Sequence, residues 1–207
     1  LPVLTAFIIT CIIIESTPGP NMGYLAILSL DKGRSAGISA VIGIALGLLI
    51  VGVAASMGLA SVISNSPFLF QALRWGGVFY MLYLAWDSWR DTNAALDKSE
   101  ARTQEKIAHE KYFRRGLIVN LLNPKAGLFY VAILPSFVTQ DSTIFAQTLV
   151  LTLAFVAIAA AIHSIVVMAA SSIKPFLENS KRQIIVRRTL AVLLAAVALW
   201  FAWDTAE

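Results

Sequence analysis

Long apolar runs are the feature that most constrains this chain. A helix needs about 20 mostly apolar residues to cross the hydrocarbon core of a bilayer. Of the 207 residues, 58% are hydrophobic and 14% are charged. In a typical soluble domain about 45–50% of the residues are apolar and about 25% are charged. Too few polar side chains therefore remain in this chain to cover a water-facing surface. We therefore predict six membrane spans, at about residues 2–29, 36–63, 68–89, 116–138, 143–173 and 189–203.

The spans should be helices. An unpaired backbone group in hydrocarbon costs several kcal/mol, so only helices and closed barrels cross a membrane. Barrel strands alternate polar and apolar side chains, whereas runs such as residues 12–14 and 165–168 are apolar throughout. The sequence predicts an all-α integral membrane protein with one transmembrane domain over residues 1–207. It divides into a three-helix half (1–89), a cytoplasmic loop (90–115) and a second three-helix half (116–207).

The basic residues predict the orientation of the spans. Lys and Arg concentrate in cytoplasmic loops of membrane proteins. Here they lie in or beside the first, third and fifth loops: Lys32, Arg34, Arg90, Lys98, Arg102, Lys106, Lys111, Arg114, Arg115, Lys174, Lys181, Arg182, Arg187 and Arg188. We expect these three loops in the cytoplasm and both termini outside.

Prolines interrupt the first and fourth spans, at Pro18-Gly19-Pro20 and at Asn123-Pro124. Proline removes a backbone donor and ends or unwinds a helix, and the freed groups are tolerated only beside protein or a water-filled cavity. Two halves of three spans, each opening with a broken helix, predict the inverted repeat of secondary transporters. The second break lies nearer the start of its span than symmetry requires, unless that helix begins before Gly116. Simple packing kinks are the alternative.

Two charged residues, Glu15 and Lys125, lie beside the breaks inside apolar spans. An ion at membrane depth is costly and is by default a functional candidate. One interpretation is a buried ion pair that locks the two broken helices together. The other is a cavity for a zwitterion, where Lys125 and the helix N-termini bind a carboxylate while Glu15 and freed carbonyls bind an ammonium. Burial favours the protonated form of a carboxylate, so Glu15 is also a candidate for proton coupling.

Several weaker candidates accompany this pair. His163, in the fifth span, either relays protons or bridges helices. Asn21 and Asn120 flank the breaks, as ligands or as support, and His109 is expected to be solvated. Small residues four apart form a face for close helix contact, either with another span or with a second subunit of a homo-oligomer. These residues are Ser39, Gly43 and Gly47.

Three short motifs typical of metalloproteases, redox enzymes and nucleotide hydrolases are missing from the sequence. HExxH, CxxC and the phosphate-binding P-loop are all absent, and we expect no enzymatic activity, no cofactor and no metal site. No basic stripe is interleaved with aromatic residues as nucleic-acid binding would require. Without ATP hydrolysis, energy for transport would have to come from an ion gradient.

The segments Thr17-Pro18-Gly19-Pro20-Asn21, Gly33-Arg34-Ser35-Ala36-Gly37, Phe113-Arg114-Arg115-Gly116 and Asn120-Leu121-Leu122-Asn123-Pro124-Lys125-Ala126 resemble the LysE/RhtB family of amino-acid exporters. The resemblance implies a bacterial inner-membrane antiporter that exports amino acids or their analogues, driven by an ion gradient, with protons expected. It implies substrate-binding roles for Pro18, Gly19, Pro20, Asn21, Asn123, Pro124 and Lys125. It does not select one amino acid, and a metal or inorganic-ion exporter of similar architecture is the alternative.

Overall fold

The computed structural model describes residues 2–57, 66–90, 101–139, 143–173 and 180–204, and all regular structure in these ranges is helical. The prediction of an all-helical chain is confirmed for this part of the protein. The helices are α1 (Pro2–Ser16), α2 (Pro20–Lys32), α3 (Arg34–Ser56), α4 (Pro67–Arg90), α5 (Ala101–Leu121), α6 (Pro124–Leu128), α7 (Ile144–Ile173) and α8 (Ser180–Asp204). A π-helical turn, Phe129–Ile133, and a 3-10 turn, Leu134–Phe137, continue α6.

Both proline breaks are present. The chain bends by 56° between α1 and α2, and by 52° between α5 and the segment Pro124–Phe137. Pro20 and Pro124 each occupy the first turn of the new helix, where the missing N–H is not needed. The apolar arms on either side are matched in length, at residues 3–16 and 20–32 for the first bend and 109–121 and 124–137 for the second.

The fourth span begins earlier than the sequence predicted. Its apolar arm starts at His109 rather than Gly116, and α5 itself starts at Ala101. Residues 101–115 are mostly polar, which is why hydropathy predicted a loop. They contain no glycine or proline, so nothing in this stretch ends the helix. With the earlier start, both breaks lie near the middle of their bent pairs. Residues 91–100 of the expected loop lie outside the described residues.

The count of spans is supported in part. Among the described residues, Arg34–Ser56 and Ile144–Ser172 are each long and apolar enough to cross a membrane, and each bent pair can form one further span. This gives two to four candidate spans. Helix α8 has a shorter apolar segment, Arg188–Leu199, and α4 includes Gln71, Arg74 and Asp87.

Helix α3 packs closely against α5 through its small residues. A Cβ atom added at Gly43 would overlap the carbonyl oxygen of Phe113, and one added at Gly116 would overlap the carbonyl of Ala40. A Cβ at Gly47 would lie 2.8 Å from Nδ2 of Asn120. Only glycine allows this backbone approach. The small-residue face therefore packs against another helix of the same chain.

Side-chain contacts join the first, third and fifth connections at one end of the bundle. Oγ of Ser35 lies 3.0 Å from Nε2 of His109. The guanidinium carbon of Arg188 lies 5.1 Å from the centre of the Trp89 ring. The expectation that His109 is solvated is wrong, because the longer α5 brings it against α3, where its Nδ1 also lies 2.5 Å from Oγ of Ser39. That this end faces the cytoplasm stays a prediction.

Candidate functional site

The two broken helices meet through Lys125. Its Nζ donates to the carbonyl oxygens of Ile14, at 2.5 Å, and Thr17, at 2.8 Å. In a continuous helix the Ile14 carbonyl would accept from residue 18, which is a proline without an N–H. The Ile14 carbonyl still accepts one hydrogen bond, from the backbone N–H of Thr17 at 3.1 Å, so the ammonium of the second break binds carbonyls that the first break leaves partly or wholly unpaired. Gly19 lies beside this contact, where a Cβ would meet Cδ of Lys125 at 3.4 Å.

Asn123 fixes the start of α6. Its side-chain oxygen accepts a hydrogen bond from the backbone N–H of Lys125 at 3.1 Å, which is the usual arrangement of an N-cap. Its backbone is extended, with φ −91° and ψ 104°, as expected for the residue before a proline. The cap holds Lys125 at the second position of α6, from which its side chain reaches α1.

Glu15 pairs with His163. Oε2 of Glu15 lies 3.2 Å from Nε2 of His163, and the two residues are only 7% and 2% exposed. Among the described residues, Glu15 has no ion pair with Lys125, so the interpretation of a Glu15–Lys125 lock does not hold in this structure. His163 bridges α7 to α1, and its Nδ1 is buried without a hydrogen-bond partner in the described part of the chain.

Asn21 and Asn120 form a buried hydrogen bond between α2 and α5. Nδ2 of Asn21 donates to Oδ1 of Asn120 at 2.9 Å. The other atom of each amide, Oδ1 of Asn21 and Nδ2 of Asn120, is buried with no partner among the described residues. Buried polar groups are usually hydrogen-bonded, so one acceptor and one donor remain available here.

Most of the predicted site residues line one small cavity. It is lined by Glu15, Gly19, Asn21, Asn123, Lys125 and His163, together with Thr17, Met22, Leu48 and Ala126. Its free space holds about one water molecule, so the site is closed around its own side chains in this conformation. Pro18, Pro20, Pro124 and Asn120 do not line it. The prolines set the breaks, and Asn120 acts through Asn21.

Four lining residues were not predicted. Thr17 lies in the first motif, and its carbonyl could have been identified as one of those that the break frees. Met22, Leu48 and Ala126 are apolar residues in apolar helices, and no sequence signal separates them from their neighbours. They give the cavity an apolar wall beside its charged groups.

The cavity offers both kinds of group that a zwitterion requires. The carboxylate of Glu15 and the carbonyls of Ile14 and Thr17 accept hydrogen bonds from a cation. The ammonium of Lys125 can donate to an anion.

The fold and the site define an all-helical membrane protein built around two broken helices that meet at a buried polar cavity. The family model described as LysE type translocator matches residues 12–205. The chain therefore belongs to the LysE family of translocators, which is a family of bacterial multi-pass transporters and not of enzymes.

Two of the relatives with a named function are efflux proteins. The homoserine/homoserine lactone efflux protein of Salmonella typhimurium is 30% identical over 146 residues, which cover 70% of this chain and 69% of that protein. The leucine efflux protein of Salmonella choleraesuis is 34% identical over 132 residues, which cover 64% of this chain and 61% of that protein. An uncharacterized membrane protein of Vibrio cholerae is 28% identical over 146 residues, or 70% of each chain. No solved structure matches this chain.

Proposed function

We propose that this protein is a secondary active transporter that exports amino acids or their analogues across the bacterial cytoplasmic membrane in exchange for protons. The observation that carries the proposal is the single cavity that holds Glu15, His163 and Lys125 where two broken helices meet. The proposed architecture has six spans in two inverted three-helix halves, with both termini outside. The matched lengths and bends of the two broken helices support this arrangement.

The contacts of Lys125 suggest how the substrate is bound. In the observed conformation its ammonium donates hydrogen bonds to the carbonyl oxygens of Ile14 and Thr17. The ammonium group of an amino acid has the same charge and the same three donors. We infer that the substrate ammonium replaces Lys125 on these carbonyls and that the released Lys125 then binds the substrate carboxylate. A zwitterion would thus bind both the two carbonyls and the Lys125 ammonium, whereas a simple amine would bind only the carbonyls.

Glu15 and His163 form the proposed proton-coupling pair. Oε2 of Glu15 and Nε2 of His163 lie 3.2 Å apart, so one proton can be held between the two side chains. We infer that the substrate ammonium takes the place of this proton beside the Glu15 carboxylate, because both carry a positive charge. Proton release and substrate binding would then be linked at one site, as exchange requires.

The apolar wall of the cavity favours substrates without a charged side chain. Met22, Leu48 and Ala126 offer no partner for a second ammonium or carboxylate. Homoserine and leucine, named for the two relatives, both have uncharged side chains. We propose neutral amino acids, with a free ammonium and a free carboxylate, as the substrate class. For the alternative of a metal exporter, the described residues contain no group of three or more metal-ligating side chains.

A counterflow assay in proteoliposomes tests the proposal. Purified protein is reconstituted with unlabelled leucine or homoserine inside, and uptake of the labelled compound is measured with and without a pH gradient. We expect exchange of leucine or homoserine, little exchange of lysine or aspartate, and acceleration by the gradient. Absence of exchange for every amino acid, with correctly folded protein in the membrane, would contradict the proposal.

A further inference from the structure

A second cavity lies at the predicted cytoplasmic end of the bundle, between α2, α4, α5 and α8. We propose that it is a subsite that binds the carboxylate group of the solute before the solute reaches the inner cavity. This inference rests on the proposed function. The cavity lining includes two tyrosines and five charged residues, namely Tyr24, Tyr112, Asp31, Lys32, Asp87, Lys111 and Arg115.

The two cavities follow one another along the same two helices. On α2, Asn21 lines the inner cavity and Tyr24 the outer one, which places them about 5 Å apart along the helix axis. On α5, Arg115 lines the outer cavity, and Asn123, just beyond the end of the helix, lines the inner one. Asn120 lies between them in the chain. The Asn21–Asn120 hydrogen bond joins the same two helices at this level of the bundle.

The charges around the second cavity favour an anionic group. Arg115 lies 2.5 Å and Lys111 3.9 Å from the same oxygen of Asp87, so one carboxylate neutralises two cations only in part. Asp31 and Lys32 add one charge of each sign, 3.5 Å apart. The guanidinium group has five donors in a planar fork that matches a carboxylate. Asp87 balances only one of these two positive charges, so the carboxylate of an incoming solute could balance the other.

Tyr24 provides an independent observation that points to a ligand. The residue is 3% exposed, and it lines the second cavity. Its hydroxyl is buried and has no hydrogen-bond partner among the described residues. Buried hydroxyls are normally bonded, and a carboxylate oxygen in the cavity would accept from this one. The free space holds about two water molecules, which suits a carboxylate group better than a whole amino acid.

The substitution Tyr24→Phe tests the proposal, because it removes the hydroxyl and keeps the ring. Transport of leucine is measured from each face, with inside-out and right-side-out vesicles, and leucinamide is tested as a competitor because it lacks the carboxylate. We expect the KM for leucine at the cytoplasmic face to rise about three- to tenfold, the effect of one hydrogen bond. The KM at the opposite face and the inhibition by leucinamide should not change.

Two further variants complete the test. Arg115→Lys keeps the charge but not the planar fork, and it should raise the same KM. Tyr83→Phe is the control, because Tyr83 is 54% exposed and lies outside the cavity, so it should behave like the wild type. If wild-type protein exchanges no amino acid, the proposed function itself fails.

Three results would overturn the subsite while leaving export intact. The first is an unchanged KM for leucine in Tyr24→Phe. The second is an equal change at both faces or for leucinamide, which would indicate a structural role. The third is an effect of Tyr24→Phe that follows the content of anionic phospholipid in the vesicles, because the cavity would then hold a lipid phosphate.

Discussion

Replacing Lys125 by glutamine should nearly abolish transport. The substitution removes an ammonium that donates to two carbonyls, at 2.5 and 2.8 Å. A hydrogen bond to a charged group contributes about 1.5–3 kcal/mol. In the proposed cycle the released ammonium then donates to the substrate carboxylate, and glutamine loses that charge-assisted bond at a cost of roughly 1.5–3 kcal/mol. Since each 1.4 kcal/mol is a factor of about ten, the exchange rate should fall by about 10- to 100-fold.

The variant should remain folded, because the glutamine amide can still donate to one of the two carbonyls. Exchange of labelled leucine or homoserine in proteoliposomes gives the rate, and size-exclusion chromatography in detergent gives the folded fraction. Arg114→Gln is the matched control. It also removes a cation, in this case from α5, but the pair of Arg114 with Glu110 is exposed at the surface, where ion pairs contribute little. A rate for Lys125→Gln within twofold of the wild type would refute the role of Lys125.

Three further variants test other parts of the structure. Glu15→Gln should keep its contact with His163 but lose the acceleration of exchange by a pH gradient. In the wild type, exchange for one proton supports up to about tenfold accumulation of substrate per pH unit. Unchanged acceleration in the variant would exclude Glu15 from proton coupling. Gly43→Ala should lower the free energy of unfolding by about 1–3 kcal/mol through overpacking against α5, whereas Gly127→Ala, where a Cβ meets nothing within 4 Å, should not; equal melting temperatures would contradict the close contact. Asn123→Ala should cost about 1 kcal/mol through loss of the N-cap, and an unchanged melting temperature would show that the cap does not stabilise α6.

The breaks and their neighbours could be predicted because their causes are local. Proline lacks an N–H wherever it stands, so Pro18 and Pro124 interrupt their helices regardless of the rest of the fold. The position of Lys125 one residue after Pro124 follows equally from the sequence. The start of the fourth span could not be predicted from hydropathy, since α5 continues through polar residues without interruption.

The pairing of the charged groups depends on how the helices are rotated against one another, which sequence spacing does not determine. Glu15 and Lys125 are both close to the breaks, yet Glu15 contacts His163 on α7 and Lys125 donates to a carbonyl at the end of α1. Leu48 is a similar case. It lines the cavity only because Gly43 and Gly47 allow α3 to approach α5.

The most direct test of the account is whether a substrate protects the meeting point of the two broken helices from chemical modification. Cys11 is the single cysteine of the chain, so Cys11→Ala gives a background without thiols. Thr17→Cys places a thiol in the cavity, and Glu110→Cys places one at the exposed, predicted cytoplasmic end of the bundle. We predict that a methanethiosulfonate reagent labels both variants, that leucine or homoserine slows the labelling of Thr17→Cys, and that labelling of Glu110→Cys does not respond. Labelling of Thr17→Cys that no transported amino acid slows would contradict a substrate pathway at this site.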